Sequence, residues 1–471
     1  MRKFVLLAVG AGIAILPAAA GAQQPGERWQ IHEWGTFTAL QNETGHPLGW
    51  INTEDEPVPS FCHRLSHSLL VPVDDLAPTF FKDAPRAHPD VILRLETPVL
   101  YFHPPASATL PQQVDVKVEF RGGWLTEYYP DANVGAPGLT TRSFQYGHIN
   151  ASTQGSLEWK GLQIGKEGTF PATEDPVWLS PRNVRAASLT AAGGESERFL
   201  FYRGVAYTQA PLLVQRSGDG TSLNLESWLP DALKNQVPLR IPRLWLADIR
   251  EDGTTGFRTL PPQKIATTTI ASMTTIRSTF EPKDYSLARL SALRSEMHDG
   301  LVAEGLHSDE AEALLNTWDA SYFRSSGLRL FFLVPRAWTD YVLPLRTSLD
   351  ADVKRVMIGR LELITPDQRR CLQRIAETKA PTSAWFEEWT ARNPDAWKRY
   401  QQKREEGNLR ALREEKIEIP DDYRAYLELG RFRNAIVLDE FQRTQGEGLR
   451  KFIDAYDLHE ARVGDKPARE R

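Results

Sequence analysis

The stretch RWQIHEWGTFTAL, Arg28 to Leu40, decides how the chain is read. In a β-strand successive side chains point to opposite faces. Trp29, Ile31, Glu33, Gly35, Phe37 and Ala39 then share one face, and Gln30, His32, Trp34, Thr36 and Thr38 share the other. The first row is apolar except at Glu33. A carboxylate on an inward face must be protonated, paired or bound to metal, because a bare buried charge is too costly. Glu33 is therefore the first residue at which to look for chemistry.

Outward from this stretch the signals stay β as far as about Phe280. QVDVKVEF alternates Val114, Val116, Val118 and Phe120 with Asp115, Lys117 and Glu119, the pattern of a half-buried strand. VILRLETPVLYFHPP reads as another strand, with Val91, Leu93, Leu95, Val99 and Tyr101 expected on one side. Pro98 within it points to an edge or a bulge, because proline donates nothing to a ladder. PLLVQRSGDGTSLNLESW reads as a hairpin turning at Asp219-Gly220. From about Glu281 the period becomes helical, with Leu287, Leu290, Met297 and Leu301 in step. A second helix opens with Asp309, Glu310 and Glu312, acids that suit a helix N-terminus. LRLFFLVP and VKRVMIGRLELI then return to strand, and the chain is helical after Thr365-Pro366.

The expected fold class is mixed and β-rich: a β-sandwich-like core with inserted helices and a helical C-terminal region. The expected divisions are 1–22, 23–280, 281–365 and 366–471. The first is a secretory signal peptide. Arg2 and Lys3 precede a short apolar run, and Ala20-Gly21-Ala22 supplies the small residues of a cleavage site. That places the mature protein in the periplasm or outside the cell, with no integral membrane segment after cleavage. The net charge of −5 over 471 residues disfavours nucleic acid as a partner. Cys62 and Cys371 form an even pair, and in an oxidising compartment such a pair invites a disulfide. Two separate buried thiols are the alternative.

Two more glutamates sit among aromatic residues, Glu96 in RLETPVLYF and Glu127 in WLTEYYP. A pair of carboxylates brought together would resemble the acid and base, or acid and nucleophile, of a glycoside-cleaving site. Buried Glu–Arg pairs are the plainer account, with Arg94, Arg203 or Arg360 as partners. CHRLSHSLL places His63 and His67 one turn apart if it is helical, a spacing that grips zinc. Cys62, His32 and His103 are further candidate ligands, although a disulfide would remove Cys62 from that set. The sequence lacks G-x-S-x-G, P-loop, G-x-G-x-x-G and C-x-x-C-H patterns. Eight of the thirteen tryptophans fall in the β-rich part, where they suit sugar platforms or, more commonly, the core.

HEWGTFT, LGWINTEDEPVPSF, LETPVLYFH, GGWLTEYYP, RFLFYRGVA, LVAEGLHSDEAEALLNTWDASYF and VKRVMIGRLELITP together resemble a family of exported bacterial proteins of unknown function with a HEWGTFT-type motif. The match runs from about Ile31 to Pro366. It carries no assigned activity or catalytic residues. The resemblance leads one to expect tyrosine where this chain has His103.

Three functions remain open on the sequence. The first is a hydrolase acting on a glycan or other envelope polymer, with Glu33, Glu96 and Glu127 as candidate acid, base or nucleophile and Arg203 orienting. The second is a non-catalytic binding or scaffold protein in which those glutamates form structural Glu–Arg pairs. The third is a metal-assisted hydrolase using His63 and His67, with zinc as the one cofactor considered.

Overall fold

The structure, a computed structural model, describes residues 28–54, 58–65, 71–72, 87–139, 145–234, 239–265, 274–405, 419–460 and 462–463. Residues 1–22 and His67 lie outside the described residues. The principal strands are β1 (Trp29–Gln41), β2 (Leu93–His103), β3 (Gln112–Arg121), β4 (Gly123–Tyr129), β5 (Gln154–Ile164), β6 (Leu200–Ala206), β7 (Leu244–Ile249), β8 (Thr255–Leu260), β9 (Gly327–Leu333) and β10 (Ala351–Leu363). They hydrogen-bond in the order β5-β4-β6-β2-β1-β10-β9-β7-β8, and β3 pairs with β5. The opening stretch is thus a central strand. It runs antiparallel to β2 and parallel to β10, and is buried from Ile31 onward.

Both faces of β1 are covered. Ile31, Phe37 and Ala39 pack with Val114, Val116 and Val118 of β3 and Leu157 and Trp159 of β5. The sheet curls over itself on this side, which gives the sandwich-like half of the fold. Trp34, on the other face, packs with helices α1 (Leu287–Ala303) and α2 (Ser308–Thr317) through Leu293, Met297, Leu301, Ala311 and Leu314. A third cluster joins Leu40, Trp50, Trp124 and Ile364 to the C-terminal helices through Leu372, Ile375, Tyr423, Ile436 and Phe452. The architecture is mixed and β-rich, with inserted helices and a helical C-terminal region. The hairpin at Asp219-Gly220 joins Leu212–Arg216 to Ser222–Ser227, with Gly220 at φ 72°.

β2 departs from the expected alternation. Leu93, Leu95, Leu100 and Phe102 face the sandwich side, whereas Val99 and Tyr101 face the helices. The switch occurs where Gly35 alone stands opposite Thr97 and Pro98, between the Thr36–Glu96 and Trp34–Val99 pairs. Thr97 takes φ 43° there. Two residues opposing one make a β-bulge, which changes the face of everything that follows. The bulge also admits Pro98 to a central strand, where the sequence pointed to an edge or a bulge.

Cys62 and Cys371 are both free and buried. Cys62 belongs to the helix-covered cluster and Cys371 to the C-terminal one, so of the two readings the structure has two separate buried thiols and no disulfide. Burial raises both thiols, with Glu127 adding to the effect at Cys62 and Glu428 at Cys371.

Candidate metal centre

The junction between the two inserted helices builds half of the site. α1 is closed by Glu304 and followed by Gly305, whose φ of 110° is a conformation that glycine adopts without strain. Leu306 then donates its N–H back to Leu301 and enters the core, which turns the chain and delivers His307 to the position just before α2. Glu310, in the first turn, accepts the His307 backbone N–H at Oε2, 2.7 Å away. The helix dipole favours a negative charge at this end.

The sheet supplies the other half. His32 of β1 stands opposite Tyr101 of β2, and His103 lies two residues further along on the same face. His32 Nδ1 is 2.8 Å from Glu310 Oε2, and His103 Nε2 is 2.9 Å from Glu310 Oε1. The three imidazole rings form a near-equilateral triangle, with centroids 4.9, 4.6 and 4.7 Å apart. Donor atoms of His32, His103, His307 and Glu310 all lie within 4.8 Å of one another. Among the described residues this is the group of histidine, cysteine and acidic side chains compact enough to share an ion.

Burial pushes the Glu310 carboxyl up, but hydrogen bonds from His103 and His32 outweigh it and bring the group down to about 2. Burial lowers His307, opposed by the Glu310 charge and reinforced by His32 and His103. Imidazole and carboxylate are the donors that zinc and other first-row divalent ions take in four-, five- or six-coordinate sites. Around a tetrahedral zinc with bonds of about 2.0–2.1 Å, neighbouring donors stand about 3.3 Å apart. The hydrogen-bonded pairs here would open by a few tenths of an ångström to admit the ion, and the wider pairs, up to 4.8 Å apart, would draw together.

Each carboxylate singled out in the sequence is held by arginine. Glu33 accepts the Tyr202 hydroxyl at Oε1 and the Arg355 guanidinium at Oε2, on the sandwich side of β1. Arg355 also reaches Asp340 Oδ1 at 2.9 Å. Glu96 accepts the Thr38 hydroxyl at 2.8 Å and Arg431 at 2.7 Å, on the helix-covered side. The sheet therefore separates Glu33 from Glu96. Burial raises Glu96, but Arg431, Arg94 and Arg360 outweigh it and hold the carboxyl below its ordinary value. Glu127 lies between Arg64 Nε at 2.9 Å and Arg203 Nε at 3.1 Å, opposite Arg203 in the β4–β6 register. Arg203 is thus a buried partner of Glu127.

His63 lies in a two-residue strand, His63–Arg64, paired with β4, so the helical premise for a His63–His67 pair fails. It stacks on Tyr128 with centroids 5.3 Å apart, and its Nε2 is 3.0 Å from Glu195. Of the histidines weighed as ligands, His32 and His103 come together, and His307 and Glu310 complete the group. The tyrosine expected at position 103 would replace one imidazole of the three. His307 and Glu310 are not among the candidate ligands drawn from the sequence; their i, i+3 spacing at the start of an acid-rich helix is the signal that points to them.

No family model and no curated protein matches the chain. Solved structures give remote neighbours. The yeast delta-COP-I mu-homology domain, alone and complexed with a Dsl1 WxWxV peptide, is 10% identical at TM-score 0.23, covering 73% of this chain and 98% of that one. The Fcho1 mu homology domain of Danio rerio with bound Eps15 peptide is 10% identical at TM-score 0.26, covering 72% and 99%. Scores this low carry none of those proteins' partners to this chain. Among the described residues no helix is long and apolar enough to cross a membrane.

Proposed function

We propose that the protein is an exported metalloprotein that holds one divalent transition-metal ion, zinc by its donor set, between His32, His103, His307 and Glu310. The observation that carries this reading is the convergence of three imidazoles and one buried carboxylate from two adjacent strands and a helix start. On this reading Glu33, Glu96 and Glu127 are framework anions, each held by arginine, and catalysis by paired carboxylates is set aside. The tryptophans support the same view, since Trp34, Trp124, Trp159, Trp178 and Trp245 are core residues.

Metal analysis tests it. The full chain, stripped with chelator and reconstituted, should take up one equivalent of zinc. His32→Ala and Glu310→Gln should each weaken zinc by at least about 10–100-fold, the loss seen even for residues that merely support a ligand. Less than a tenth of an equivalent after reconstitution of folded wild-type protein would sink the proposal.

A further inference from the structure

The four donors are unequally covered. Glu310 is 0% exposed, His32 4%, His103 13% and His307 46%. Trp34, Tyr101, Leu306 and Ala311, next to the donors in register or in sequence, are all buried in one apolar cluster. Glu310 Oε2 already bonds the His307 backbone N–H and His32, and Oε1 bonds His103, so the carboxylate counts as one ligand atom. Three imidazole nitrogens and one carboxylate oxygen fill four positions, and an N/O donor set supports a fifth. The covered hemisphere faces that apolar cluster. The His307 edge is open to water.

Lys354 stands beside this opening. It lies opposite His32 in the parallel β1–β10 register, so both side chains leave the same face of the sheet. Its methylene stem crosses Gly305, where an added Cβ would come within 3.3 Å of the Lys354 Cδ. The side chain is exposed, and among the described residues it has no ion-pair partner. Arg185, which reaches the first turn of the same helix, is bonded to Asp309. A divalent ion, one carboxylate and one lysine leave the mouth of the site positive, and such a field favours anions.

We infer that the bound ion keeps an exchangeable coordination position on the His307 side, and that this position takes a small anionic group, a carboxylate or phosphate oxygen, beside Lys354. This rests on the metal reading above. The centre is then a Lewis-acid binding site for the anionic end of a ligand, not a closed structural staple.

Cobalt(II) in place of zinc gives a visible spectrum that reports its ligands. Titrating the cobalt-loaded full chain with inorganic phosphate, and separately with acetate, should shift that spectrum saturably in at least one arm. Lys354→Ala should weaken the responding anion by about threefold or more, as expected for loss of one partly solvated charge. A cobalt spectrum unchanged by a large excess of either anion would overturn the inference and leave the metal site standing as a closed one. An anion affinity unmoved by Lys354→Ala would remove Lys354 from the site and overturn the charge argument. Failure of the folded protein to bind cobalt or zinc at all would overturn the metal reading and this inference with it.

Discussion

Glu33 and Glu310 show how two buried carboxylates acquire different characters from their neighbours. Glu33 faces an arginine that stands opposite it in the β1–β10 register, with a tyrosine hydroxyl completing its bonds. The charge is matched locally, and the pair belongs to the framework. Glu310 faces two imidazoles and a backbone N–H, donors that metal ions displace or share. Glu33→Gln leaves Arg355 buried with only Asp340 opposite. Breaking a buried pair costs about 3–5 kcal/mol, and the surviving Asp340 contact puts the expected loss near about 2–3 kcal/mol. Urea denaturation measures it, and zinc content should not change. A loss of stability that came with loss of zinc would tie Glu33 to the metal centre instead.

At the scale of elements, the bulge between β1 and β2 decides what the helix-covered face carries. It turns Val99, Tyr101 and His103 toward the helices, although Leu93 and Leu95 on the same strand face the sandwich. Without the bulge His103 would leave the sheet on the side away from His32. Gly35 makes room for it: a Cβ there would come within 3.1 Å of Pro98 and 3.3 Å of Met357. Gly35→Ala overpacks this contact and should destabilise the protein by about 1–3 kcal/mol, read as a lower melting temperature. Zinc affinity should fall with it if the strain shifts β2. An unchanged melting curve would mean that Pro98 gives way freely. The α1–α2 junction is the complementary device, because Gly305 stops one helix so that His307 can begin the next.

Across the whole molecule, the C-terminal helices dock on the end of β1 remote from His32. Arg431 reaches Glu96 in the sheet, and Arg369 joins Glu43 to Glu440 at 2.7 Å and through a second contact. Burial raises the Glu43 carboxyl, but its bonds to Arg369 outweigh this and lower it below the ordinary value. A carboxyl lowered on folding stabilises the fold above its unfolded pKa, about 4.3. That contribution fades as pH falls through the lower, folded value. Wild type should therefore exceed Glu43→Gln in stability at neutral pH, by less than about 1 kcal/mol for so solvated a pair. The gap should close in acid. Parallel denaturation curves at pH 7 and at pH 3 check this; a gap that widened in acid would reverse the sign argued here.

The sequence by itself determined that the opening stretch is a strand with a carboxylate in an apolar row, that β signals give way to helix near residue 281, and that a helical region closes the chain. These follow from periodicity, which is local. It also singled out Glu33, Glu96 and Glu127 as carboxylates in apolar or aromatic surroundings, and His32 and His103 as further candidate ligands. Only the tertiary structure decided which of them are partners. His32 and Glu310 are 278 residues apart, and His103 and Glu310 are 207 apart. Their meeting depends on strand register, on one bulge and on the packing of a helix pair across the sheet. A local pattern encodes which face a side chain takes; what waits for it on that face is set by contacts between distant parts of the chain.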